Sequence, residues 1–164
     1  NEGINALAIA PQNDGRIADK INELFEAGIP TVTFNTDIEN SKRIAYVGSD
    51  YYKCGQTAAG LMNLMTHDDV HIGIINGSSK ILCHTERIAG FKACLGNYSN
   101  MKIADYFENH DDDFTSYELT KEMLEKHPEI NAVFFAAGFL AGAFLAAGFF
   151  AAGFSSSVLV YSLT

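Results

Sequence analysis

The chain has 164 residues, nearly half of them apolar (48%), and a formal net charge of −9. Such a length and apolar content support a packed domain with a real core and exclude a disordered chain. The acidic balance excludes these residues as a nucleic-acid surface, because counterion release from a phosphate backbone needs clustered basic side chains.

Residues 4–10 (INALAIA) form an apolar run of strand length, and Pro11-Gln12-Asn13-Asp14-Gly15 follows as a turn. Residues 16–27 place Ile17, Ile21, Leu24 and Phe25 at helical spacing, and Gly28 sits where a helix-ending glycine belongs. A strand at 31–34 completes a β-α-β unit. A second strand at 44–47 precedes Gly48-Ser49-Asp50 and a helix over about 52–65. The pattern repeats with a strand at 70–75 (VHIGII), a helix over about 85–95, a strand at 101–106, a helix over 114–126 and a strand at 132–136.

These strands are uninterrupted apolar runs, which indicates burial on both faces. Their alternation with helices predicts right-handed crossovers and parallel sheets with flanking helices, an α/β fold. Parallel strands end on one common edge, and open α/β sheets bind ligands there. Several of the best polar groups stand just where strands stop: Asn35, Thr36 and Asp37, then Asp50, then Ser79. They are candidate ligand contacts. For Asp50, two residues ahead of the expected helix, capping is an equal reading.

Three cysteines, Cys54, Cys83 and Cys94, form no C-x-x-C pair. No zinc or thioredoxin-type site is therefore expected, and an odd thiol count favours a reducing, cytoplasmic compartment. Asn109-His110-Asp111-Asp112-Asp113 lacks the spacing of a calcium loop and reads as a solvated loop ahead of a helix. The five histidines show no H-x-x-x-H, so no metal or cofactor is expected. From residue 130 onward no residue is charged, and AAGF occurs three times. A membrane span is formally long enough but has no basic flank and begins inside a sheet strand. A buried Ala/Gly-rich helix and a non-native end are the other readings.

The segments AGIPTVTFNTD, AYVGSDYYKCGQTAAGLM, HIGIINGSS, ERIAGFKACL and NAVFFAAG occur in order. Together they resemble the type I periplasmic-binding-protein fold of LacI-type transcription regulators and of ABC-transporter sugar-binding proteins. Most specific are G-S-D-x-x-x-x-G and, further on, E-R-x-x-G-F. The resemblance implies a piece of a longer protein, with residues 1–66 part of a first α/β lobe and 67–138 part of a second. Residues 139–164 form an Ala/Gly/Phe-rich tail.

The resemblance also implies roles. Asn35 stands where the family often has an aspartate that binds sugar hydroxyls, flanked by Thr36 and Asp37. Arg87 matches an arginine that reaches the ligand, and Asp111 lies in a loop that can border it. Ala137-Gly138 replaces a common Asn-Asp pair, a departure that bears on the ligand class. The expected function is the effector-sensing domain of a LacI-type regulator, binding a sugar-like molecule. Full length, it would be a homodimer that binds DNA through a headpiece outside this chain. The alternative is the sugar-binding component of an ABC transporter. No nucleophile elbow or P-loop occurs, so an enzyme is not expected.

Overall fold

The computed structural model describes residues 3–66, 68–136 and the backbone of 158–160. By packing, the chain divides into two compact units: Asn1–Asp50 with Lys80–Cys83, and Tyr51–Ser79 with the chain from His84 onward.

The first unit holds β1 (Leu7–Ile9), α1 (Gly15–Glu26), β2 (Thr31–Phe34) and β3 (Ala45–Val47). The strands run parallel in the order β1-β2-β3. Asp14 caps α1 by accepting a hydrogen bond from the Arg16 amide. The Arg16 guanidinium, with this amide bond second, holds its carboxyl down to about 2. Gly28, at φ 76°, ends the helix as its sequence position predicts. Ala18, Ile21 and Ile38 form a small core, with Ile9 and Ile17 against it.

The second unit holds α2 (Tyr51–Met65), β4 (Val70–Asn76), α3 (Leu82–Leu95, from His84 on), β5 (Met101–Glu108), α4 (Asp113–Lys126), β6 (Ala132–Phe135) and β7 (Val158–Val160). Its sheet runs β5-β4-β6-β7. The first three strands are parallel, and β7 lies antiparallel to β6. Central β4 is buried on both faces, as its unbroken apolar run requires. Ile72 and Ile74 face a core shared with Ala58, Met62, Ile88 and Phe91. On the other face Ile75 joins Met123, Ile130 and Val133. Phe91 of α3 stacks on Phe134 of β6, with ring centroids 4.2 Å apart. Removing either ring would cost about 3–5 kcal/mol.

The expected elements are all present. The largest boundary differences are at β1, which begins at Leu7 rather than at residue 4, and at α3, which begins at Leu82 rather than at residue 85. β5 runs on to Glu108, because its last residues keep pairing with β4 up to Asn76. The helical and membrane-spanning readings of the tail fall on residues outside those described, apart from the antiparallel strand β7. Among the described residues no helix is long and apolar enough to cross a membrane.

Candidate functional site

Each unit presents one edge where its parallel strands end. In the first unit the chain leaves β2 through Asn35, which takes a left-handed backbone (φ 61°). That conformation is tolerated by asparagine better than by most side chains. Its amide donates to the Val47 carbonyl (3.0 Å), which fixes the turn beside β3. The Tyr46 hydroxyl lies 3.0 Å from the Asn35 carbonyl and 3.2 Å from that of Ser49. Asn35 is exposed. Thr36 is buried, and its hydroxyl has no partner.

Asp37 is engaged inward. Its carboxylate accepts from the Thr33 hydroxyl at 2.7 Å and pairs with the Arg43 guanidinium. The pair bridges the end of β2 and the loop into β3, so Asp37 braces the turn that presents Asn35. Asp50 is exposed, immediately before Tyr51, the first residue of α2. A cleft of about 460 Å³ lies in this unit, lined by residues such as Leu7, Ile9, Ile17 and Leu24. None of the predicted site residues lines it.

The second unit's edge is richer. Arg87 projects from α3, and its Nη1 donates to the carbonyl of Ala136, just past β6, at 2.9 Å. Its guanidinium carbon lies 4.4 Å from the Tyr51 ring centroid, a cation–π geometry. Its Nε is buried without a partner. Among the described residues Arg87 has no carboxylate partner, unlike an ordinary solvated arginine. One helical turn earlier stands His84, buried, whose Nδ1 accepts a hydrogen bond from the Ser78 amide at 3.1 Å. Burial, with Arg87 adding to it, pushes His84 below the ordinary imidazole value, against the opposing pull of Asp111 and Glu108.

Glu108, the last residue of β5, accepts from the Ser79 amide (2.7 Å) and lies 3.3 Å from its hydroxyl. Asp111, also left-handed (φ 60°), donates its amide to the Asn109 side chain at 3.0 Å and lies 3.9 Å from His84 Nδ1. Fully buried Asn76, at the end of β4, donates to the Tyr106 hydroxyl at 2.9 Å. Burial raises the Tyr106 phenol above its ordinary value.

Of the predicted residues, Ser79, Arg87 and Asp111 therefore lie on the second unit's edge, and Asn35, Thr36, Asp37 and Asp50 on the first unit. Sequence reasoning missed His84, Glu108, Asn76 and Tyr106. Asn76 carried a usable signal as a polar residue closing an apolar strand. His84 lies three residues before Arg87 and so shares its helix face, but the helix was expected to begin one residue after it. Among the described residues no group of His, Cys, Asp and Glu could hold a metal ion.

The fold is α/β, with polar side chains at the strand-end edges of both units. A family model described as "Periplasmic binding protein domain" matches residues 1–161, and the chain belongs to that family. The fold is that of the type I periplasmic binding proteins, represented in part. The ribose import binding protein RbsB of Bacillus subtilis is 27% identical over 135 residues, covering 81% of this chain and 43% of that protein. The D-ribose/D-allose-binding protein of Pseudomonas aeruginosa is 27% identical over 137 residues, with 80% and 43% covered. A chain of the solved XylFII-LytSN complex is 30% identical, with a TM-score of 0.79 over 88% of this chain and 54% of that one. The chain thus spans less than half the length of the two curated relatives.

Proposed function

We propose that the protein binds a sugar or similar polyhydroxylated small molecule, as the binding component of an ABC transporter. The observation that carries this reading is Arg87. Its half-buried guanidinium is anchored at Ala136 and stacked near Tyr51, with no carboxylate partner among the described residues. A planar donor fork held in this way suits neighbouring ligand oxygens. Asn35 is proposed as a contact from the first unit's edge. The two curated relatives, a ribose import binding protein and a D-ribose/D-allose-binding protein, support the sugar class. The polar set reads hydroxyls by hydrogen bonding, so we propose binding without catalysis.

A second reading, the effector domain of a LacI-type regulator, is favoured by one observation. All three cysteines are free thiols, as suits a reducing cytoplasm. On that reading the full-length protein is a homodimer whose DNA-binding headpiece lies outside this chain. The N-terminal sequence of the full-length protein separates the two, as a helix-turn-helix or a secretory signal.

The test is a thermal-shift screen of this chain against mono- and disaccharides that include D-ribose and D-allose. A sugar at a hundred times its dissociation constant adds about 2.7 kcal/mol of stability. The reading expects one sugar to raise the melting temperature and Arg87→Ala to abolish the rise. A cooperative melt that no sugar moves would overturn it for this chain.

A further inference from the structure

His84 sits at a junction of two loops. Its Nδ1 accepts from the Ser78 amide in the β4–α3 segment, and the Asp111 carboxylate of the β5–α4 segment lies 3.9 Å from the same nitrogen. A nitrogen that accepts a backbone N–H carries no proton, so the imidazole is neutral with its proton on Nε2. Protonation would turn Nδ1 from acceptor to donor. It could then no longer receive the Ser78 amide, whereas Asp111 could receive its proton. The two loops are also tied to each other independently of His84. The Asn109 and His110 amides donate to the Asn76 and Gly77 carbonyls, each at 2.8 Å. Asp111 is fixed in turn through its amide on the Asn109 side chain.

We propose that His84 is a positioning residue of the second unit's binding edge, exchanging the Ser78 amide for the Asp111 carboxylate when it takes up a proton. Neutral, it accepts the Ser78 amide. Protonated, it releases that amide and engages the Asp111 carboxylate. The consequence for ligand rests on the sugar-binding reading above. One of the proposed contacts, Asp111, would be withdrawn as pH falls, while Ser79 stays on Glu108.

The charged groups that face His84 are Arg87 on its own helix and Asp111 and Glu108 from the end of β5 and the loop after it. The Ser78–Ser79 segment contributes none. Burial with Arg87 resists protonation, and the two carboxylates give the imidazolium a destination. His84 has almost no other way to regain solvation, since only 7% of the residue is exposed.

The experiment is an NMR titration of this chain from about pH 7.5 to 4.5, which follows the His84 ring nitrogens and the Ser78 amide. The expected result is the Nε2–H tautomer at neutral pH and a Ser78 amide shift whose midpoint coincides with that of His84. In His84→Asn the amide oxygen stands in for Nδ1 without titrating, so the Ser78 signal should stay level. Asp111→Asn should move the His84 midpoint down, because the imidazolium loses its partner. A Ser78 amide indifferent to His84, or the Nδ1–H tautomer at neutral pH, overturns the exchange.

D-ribose affinity, read in parallel, should fall by up to about tenfold per pH unit below the midpoint in the wild type. The slope should vanish in both His84→Asn and His84→Leu, since neither side chain titrates. Ribose binding with a flat pH profile in the wild type overturns the link to ligand. If D-ribose and the rest of the panel fail to bind, the sugar reading falls, and the ligand-free amide titration still upholds or overturns the exchange.

Discussion

Asp37 and Asn35 are two residues apart and have opposite fates. Asn35 is exposed in a left-handed turn. Asp37 spends its carboxylate on Thr33 and Arg43; the Asp37 and Arg43 side chains are partly shielded, at 18% and 28% exposed. Arg43→Ala would leave that carboxylate half-solvated with one partner, and is expected to cost about 1–3 kcal/mol in a urea melt. An unchanged midpoint would mean that water replaces Arg43 at no cost.

The residue scale also sets a pH dependence. The unfolded imidazole of His84 titrates near about 6.5, and burial lowers the native value below that. Between the two values the unfolded chain binds more protons than the native one. Stability from this group is therefore full above the unfolded value and declines as pH falls toward the native one. Chemical melts at pH 7.5 and at about 5.5 should differ by a larger step in the wild type than in His84→Asn. None of this was legible from spacing, because a histidine becomes an acceptor for one amide only through a contact six residues away. Asn35 was legible because a polar residue closing an apolar strand needs no tertiary contact to be noticed.

At the scale of elements, the two most specific motifs acquire a physical cause. The final glycine of G-S-D-x-x-x-x-G is Gly55, and the glycine of E-R-x-x-G-F is Gly90. A Cβ on Gly55 would land on the Arg87 carbonyl oxygen and lie 2.7 Å from the Phe91 nitrogen. A Cβ on Gly90 would strike the Tyr52 carbonyl. Helices α2 and α3 therefore touch backbone to backbone through these two positions, and the contact sets the height of the helix that carries His84 and Arg87. Backbone cannot step aside as a side chain can. Gly55→Ala should destabilise the second unit by about 1–3 kcal/mol through overpacking, more than the roughly 1 kcal/mol that alanine's better helix propensity returns. It should also weaken any Arg87-dependent sugar binding. A gain in stability would show that the helices separate freely.

Gly73 offers the contrast. Its hypothetical Cβ meets the end of the Met123 side chain, which can rotate away, so Gly73→Ala should be milder. Helix and strand identities were legible because the unbroken runs of β4 and β6 and the periodicity of α1 are local. The start of α3 was not, since Leu82-Cys83-His84 carries no cap and no helical period of its own. The strand β7 was hidden in a tail without charge, where strand, helix and span share one composition.

For the whole molecule, the two units differ in how much apolar surface holds them. The first closes around Ala18, Ile21 and Ile38 with two partly buried neighbours, and both β1 and β3 are edge strands of its sheet. The second has core clusters on both faces of β4, including the stacked Phe91 and Phe134. Small cores are marginal, because conformational entropy grows with every residue ordered while buried area lags behind. Hydrogen exchange should therefore reach β2 and α1 well before β4 and β6, through opening of the first unit without the second. Equal protection in both would mean that they unfold as one body. Family membership and the fractional span of the relatives give this difference a functional edge. A sugar held through Asn35 must slow exchange in β2, whereas one held through Arg87 alone leaves β2 as it was and protects only the ends of β4 and β6. Exchange measured with and without a bound sugar thus tests Asn35 and Arg87 separately, each through the strands of its own unit.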